Sequence, residues 1–289
     1  MDQFRKNTIA LYGKHGKDWL ERLPAIRAAI SKKYQLSALN PVSNMSFNYV
    51  CSGMQNEKPI MLKLGFDQQA FSKEADCLQA FEQYGSAKVI ATEPGMIIMQ
   101  KLDPGMTLKS YFPQKDDQAL TILCKTILQL HKAQIPKHHH FFPLKKILSI
   151  LDQDLDIPQK LLDSARALRD DLLLSTKKEV LLHGDLHHEN LLQHGNDWKV
   201  IDPKGFIGDP LFDLCAFILG PIPELLQQNN RTGLIQKRIK ICAHELQAPQ
   251  QRIQDWLYVK SVLGWAWCLD DNMAPDYFKG CVSLLEKIR

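Results

Sequence analysis

The sequence predicts an α+β fold in two lobes: a small antiparallel-sheet lobe over residues 1–102 and a mainly helical lobe over 103–289. Short β-rich runs separated by turn residues fill the first third. Apolar positions at helical spacing fill almost everything beyond Pro210. One short connection near Lys101 to Pro104 joins the two compositions, which places a cleft between the lobes, where small ligands bind.

Taken in order, Phe4, Ile9, Leu11, Trp19, Leu23, Ile26 and Ile30 predict two helical pieces, with Gly13, Gly16 and Pro24 as interruptions. Phe47 to Ser52 and Pro59 to Leu64 predict a hairpin turning over Gly53 to Lys58. Ala70, Phe71, Ala75, Leu78 and Phe81 mark one face of a helix from Asp67 to Tyr84, with Gly85 as its cap. A second hairpin runs from Lys88 to Thr92 and Met96 to Leu102 around Glu93-Pro94-Gly95. Helices follow at Asp116 to Ala133, Leu144 to Leu151 and Gln159 to Leu174. Strand-like pieces return at Val180 to His183, Leu191 to Gln193 and Trp198 to Ile201.

Composition narrows the function. The net charge is +4 and the basic residues are scattered among acids, which argues against a nucleic-acid surface. No uncharged run reaches bilayer length and the N-terminus lacks a signal-like apolar core, so no membrane partner is expected and the location is cytoplasmic. Seven dispersed cysteines without a C-x-x-C pair read as buried thiols rather than disulfides or zinc ligands. A monomer or weak homodimer is expected. His138-His139-His140 reads as a solvated loop, since adjacent side chains do not close a metal site.

The chemistry lies between Leu181 and Gly205. An apolar strand delivers His183-Gly184-Asp185 to a turn, Asn190 follows, and a second strand delivers Asp202 before Pro203. Two strand ends thus gather a carboxylate and two hard oxygen donors, a set suited to Mg²⁺ completed by water and phosphate oxygens. Phosphoryl transfer asks for in-line geometry, a metal and a carboxylate that takes the acceptor's proton. Asp185 suits the base, Asn190 and Asp202 the metal.

With that spacing, the stretch resembles the catalytic loop of the aminoglycoside phosphotransferase family, relatives of the protein kinases. The continuation Ile201-Asp202-Pro203-Lys204-Gly205, Gly208-Asp209-Pro210 and Asp213-Leu214 is similar to the streptomycin 6-phosphotransferase and hydroxyurea phosphotransferase branch. The resemblance implies a protein-kinase-like fold, ATP and Mg²⁺ as cofactors, and a small-molecule acceptor. It implies that Lys63 holds the α- and β-phosphates with Glu74 as partner, and that Asn40 to Asn48 is the loop over the phosphates, through Ser43, Asn44 and Ser46. That loop has no glycine, unlike its protein-kinase counterpart. Met99, Gln100 and Leu102 are implied to form the hinge that faces adenine.

Several residues carry a plainer reading as well. His183 packs and braces the loop. His187, His188 and Glu189 diverge too much for zinc. Asp209 caps the helix that starts at Pro210, and Asp213 either belongs to that turn or braces the catalytic loop. Lys204 either touches phosphate or balances charge. Trp265, Asp270 and Asp271 are either an acceptor wall for a polycation or a core tryptophan and a helix end. The expected function is ATP-dependent phosphorylation of a streptomycin-type aminoglycoside or hydroxyurea, conferring antibiotic resistance. The alternatives are a kinase for a metabolite such as choline, a sugar or an amino-sugar, and a non-catalytic nucleotide-binding pseudokinase.

Overall fold

A computed structural model describes residues 2–43, 45–271 and 273–289. The first part contains α1 (Asp2–Tyr34), β1 (Leu36–Pro41), β2 (Tyr49–Gln55), β3 (Lys58–Leu64), α2 (Gln68–Phe81), β4 (Val89–Glu93) and β5 (Met96–Gln100). Then come β6 (Pro104–Thr107), α3 (Asp116–Leu130), β7 (Phe142–Pro143), α4 (Leu144–Leu148), α5 (Gln159–Ser175), β8 (Val180–Leu182), β9 (Leu191–His194) and β10 (Asp197–Val200). The chain ends with β11 (Phe206–Gly208), α6 (Cys215–Ile218), α7 (Arg231–Leu246), α8 (Gln250–Asp270) and α9 (Asp276–Leu285).

Five antiparallel strands in the order β1-β2-β3-β5-β4 form the small lobe. One face buries Leu62, Ile60 and Ile98 with Phe4, Trp19, Leu20 and Leu23 of α1. A second apolar cluster joins Ile97 and Met99 to Phe71, Ala75 and Leu78 of α2. Strand β3 is therefore covered on both sides, and Lys63 is buried within it. The larger core lies in the helical lobe, built around α3, α5, α7 and α8.

Local differences from the sequence reading have physical causes. Strands β2 and β3 extend to Gln55 and Lys58 and close in a two-residue turn at Asn56-Glu57, with φ of 47° and 63°, the geometry that matches strand twist. Gly53 is a strand residue, not a turn residue: a Cβ there would sit 2.4 Å from Leu39 Cδ2, where β1 crosses closely. Strand β1 escaped prediction because its run is not alternating and is bulged, with Ala38 at φ 50°. Strands β6 and β11 also escaped, because only distant partners at β9 and at β7 and β8 define them. Within α1 the break falls at Gly13 (φ 53°, ψ −131°), while the helix continues through Pro24.

The lobes are stitched together two residues before Asp202. Val200 of β10 accepts from the Ala87 N–H at 3.0 Å and donates to Gly85 at 2.8 Å, and Ser86 pairs with it as an isolated bridge. Asp202 is thereby held two residues beyond a fixed point between the lobes. All seven cysteines are buried and free. Among the described residues no helix is long and apolar enough to cross a membrane.

Candidate active site

Lys63 leaves β3 into the cleft and meets two carboxylates. Its Nζ donates to Glu74 Oε1 and Oε2 at 2.8 and 2.7 Å and to Asp202 Oδ1 at 2.5 Å. Burial pulls the lysine's pKa down, but Asp202 and Glu74 outweigh it and hold the ammonium above its ordinary value. Burial pushes the Glu74 carboxyl up to about 7 against the pull of Lys63. Asp202 is also disfavoured as an anion by burial, yet the charges of Lys63 and Lys204 hold it well below the usual carboxylate range. The step of eleven positions from Lys63 to Glu74 thus spans a strand end and two turns of α2 to form one ion pair.

Asp202 occupies the left-handed region, φ 59°. A non-glycine residue there carries backbone strain of about 1–3 kcal/mol, of the kind that gathers at functional sites. The conformation ends β10 abruptly and presents the carboxylate to Lys63.

The catalytic loop is tied from beneath. Asp213, buried in the turn Pro210–Leu214, accepts from the His183 N–H at 2.9 Å and the Gly184 N–H at 2.7 Å. His131 Nε2 lies 3.0 Å from the same carboxylate. Gly184 needs its identity: φ is 82°, and a Cβ would lie 2.6 Å from Phe206 Cδ2. The hydrogen bonds settle the His183 tautomer. Nε2 faces the Ile201 carbonyl at 2.9 Å, which only accepts, and Nδ1 faces the Asp185 N–H at 3.3 Å, which only donates. Burial lowers the pKa of His183, so the ring is neutral and braces two strand ends.

Asn190 Nδ2 donates to the Asp185 carbonyl at 2.8 Å, and its backbone oxygen accepts from Ile201 N–H at 3.1 Å. Its amide nitrogen is thus engaged, and Oδ1 makes no hydrogen bond among the described residues. Among the described residues no three His, Cys, Asp or Glu side chains gather as a metal cage. The donor set of one carboxamide oxygen and the remaining oxygen of Asp202 fits an ion that takes few protein ligands and completes its shell from phosphate and water, as Mg²⁺ does.

The other predicted residues are placed as follows. Ser43 and Ser46 are exposed in the connection between β1 and β2, where the Ser46 carbonyl accepts from Asn7 of α1 at 2.8 Å. Asn44 lies outside the described residues. Met99 and Gln100 belong to β5, and the N–H groups of Gln100 and Lys101 are spent on Lys88 and Pro59. The Leu102 N–H has no protein acceptor among the described residues. Trp265 is buried with its Nε1 unbonded, whereas Asp270 and Asp271 are exposed at the end of α8 and form no ion pair among the described residues. Among the described residues no hydrogen bond or ion pair joins these three to Asp185.

Some important residues were missed. Lys260 of α8 is 9% exposed, with Nζ 5.1 Å from the Phe212 ring and 4.5 Å from the Trp267 ring. Burial lowers its pKa, opposed first by the charge of Asp185. Its signal was a single charge inside the apolar run from Trp256 to Ala266. Asp209 caps its turn through Leu211 N–H at 2.8 Å and also holds Arg252, which no local pattern pairs with it. His188 stacks on Phe217 at 3.6 Å with both ring nitrogens buried and unbonded. His140 pairs with Asp76 at 2.6 Å.

A sheet lobe that supplies a lysine–glutamate pair, closed over a helical lobe that supplies Asp185, Asn190 and Asp202, defines a kinase-like phosphotransferase for small molecules. Within that class the chain belongs to the aminoglycoside/hydroxyurea antibiotic resistance kinases, whose family model matches residues 39–272. It is 28% identical over 226 residues to streptomycin 3″-kinase of Klebsiella pneumoniae, covering 75% of this chain and 83% of that one. It is 23% identical to streptomycin 6-kinase of Streptomyces glaucescens, covering 91% and 88%. Its fold is similar to that of an aminoglycoside phosphotransferase solved with ADP and hygromycin B, at a TM-score of 0.64 and 13% identity, over 91% of this chain and 97% of that one.

Proposed function

We propose that this kinase transfers the γ-phosphoryl group of ATP to a hydroxyl of a streptomycin-type aminoglycoside. What carries this reading is the ion pair across the cleft, Lys63 Nζ to Asp202 Oδ1 at 2.5 Å, with Asp185 and Asn190 bonded to each other at the same floor. Lys63 and Glu74 orient the α- and β-phosphates. The Leu102 N–H meets the adenine edge, and Ser43, Asn44 and Ser46 lie in the loop over the phosphates. Asn190 and Asp202 would hold Mg²⁺, which when bound neutralises charge on the phosphate oxygens. Asp185, 35% exposed in its side chain, accepts the proton of the attacking hydroxyl as the new O–P bond forms and ADP leaves. Asp270 and Asp271, exposed at the end of α8, would face a cationic acceptor, while Trp265 belongs to the core.

Streptomycin 3″-kinase and streptomycin 6-kinase, both among its relatives, modify different hydroxyls by name, so the test reads position as well as turnover. Purified protein is incubated with ATP, Mg²⁺ and, separately, streptomycin, hydroxyurea, choline and an amino-sugar; ADP release is followed and the product's phosphate is located by NMR. Streptomycin turnover is expected, with Asp185→Asn lowering kcat by about 10²–10⁴-fold while ATP still binds. Turnover of choline or the amino-sugar alone overturns the acceptor, and unchanged kcat in Asp185→Asn overturns the base.

A further inference from the structure

Lys63 has three N–H donors, and all three are engaged: two with Glu74 and one with Asp202. In this structure its hydrogen bonds go to carboxylates. A second cation stands across the floor. Lys204 Nζ lies 3.8 Å from Asp185 Oδ2, too far for a hydrogen bond, and the ammonium makes no hydrogen bond to any described residue. Both side chains are open to the cleft, Lys204 at 50% and Asp185 at 35% exposure.

The backbone fixes where this lysine starts. Its N–H donates to the His183 carbonyl at 2.7 Å, and its Cβ stands against Gly184, 3.2 Å from where a glycine Cβ would be. Its side chain therefore rises from the middle of the catalytic loop. Its charge helps lower the pKa of Asp202 and of Glu74. The ammonium thus stands beside Asp185 and within electrostatic reach of the two carboxylates that hold Lys63.

Resting on the phosphotransfer reading above, we propose that Lys204 is a catalytic residue that donates hydrogen bonds to the oxygens of the phosphoryl group in flight. The acceptor O–P bond forms, the bond from phosphorus to the departing ADP breaks, and the hydroxyl proton passes to Asp185. Lys204 keeps its own protons throughout. Neutralising Asp185 weakens its pull on Lys204 as charge grows on the equatorial phosphoryl oxygens, so the ammonium shifts its allegiance in step with the reaction.

The test uses the full chain with Lys204→Met and Lys204→Arg. Removing one pre-organised donor lowers turnover by about 10²–10³-fold. Lys204→Met is expected to lose kcat on that scale with the affinity for ADP changed by no more than about twofold. Its affinity for ADP in the presence of Mg²⁺ and aluminium fluoride, a planar mimic of the moving phosphoryl, should fall by the same factor as kcat; Lys204→Arg should recover part of both. Wild-type kcat in Lys204→Met overturns the proposal. So does lost kcat with aluminium fluoride binding intact, which assigns Lys204 to steering Asp185, or an equal loss for ADP alone, which assigns it to ground-state binding. If the wild type ignores streptomycin, the acceptor reading fails, yet the aluminium fluoride measurement still decides the role of Lys204.

Discussion

At the scale of single residues, function is written in side chains that the fold holds at a disadvantage. Asp202 sits at φ 59° and Lys63 is buried, and each is kept there by the other. His188 is the unexplained case. It lies between Phe217 and Phe112 with both nitrogens unbonded, and burial pushes its pKa down to about 2. An unfolded chain takes up a proton at this histidine below about pH 6.5, and the folded chain does not, so stability falls as pH drops through that value. A cost of about 1.4 kcal/mol is expected by pH 5.5. His188→Phe keeps the stacking and loses no hydrogen bond, so urea unfolding should find it gaining about that much on the wild type between pH 7 and 5.5. A constant difference between the two proteins across that range would refute this account of His188.

At the scale of elements, the catalytic loop is positioned by its neighbours. The turn Pro210–Leu214 supports it through Asp213, and α6 is held in turn by Arg238 of α7. That guanidinium is fully buried, pairs with Asp116 Oδ1 and Oδ2 at 2.6 and 2.8 Å, and donates to the Ile218 carbonyl at 2.8 Å. Removing one partner of a buried pair costs about 3–5 kcal/mol because the other charge is stranded. Arg238→Leu should lose that much in denaturant unfolding, and adding Asp116→Leu should return a large part of it. If the double variant is no better than the single, packing rather than the stranded carboxylate sets the cost. The pair lies 122 positions apart in sequence, so no periodicity reveals it. Lys63 and Glu74, only eleven positions apart, were paired in the sequence through the resemblance to the family.

At the scale of the molecule, the lobes meet through the Val200 bridge and through Lys63 with Asp202. A nucleotide bound in that cleft contacts both lobes and stabilises only the folded chain. At about 100 times its Kd, a non-hydrolysable ATP analogue with Mg²⁺ should add about 2.7 kcal/mol to stability. Thermal unfolding reads the effect, and Asp202→Ala should remove the part that depends on Mg²⁺. An unaltered Mg²⁺ dependence in that variant would count against Asp202 as a ligand.

The sequence by itself determined the two-lobed α+β class, because hydrophobic period and turn residues are local properties. It also carried the motif from which phosphotransfer is expected, because His183, Asp185, Asn190 and Asp202 flank one short hairpin. Tertiary structure alone decided that Asp213 holds the loop by two backbone N–H groups, that Lys204 faces Asp185, and that Lys260 is buried near the same carboxylate. Those contacts depend on how distant elements pack and on which donors are already spent, and neither is a property of any stretch of chain taken alone.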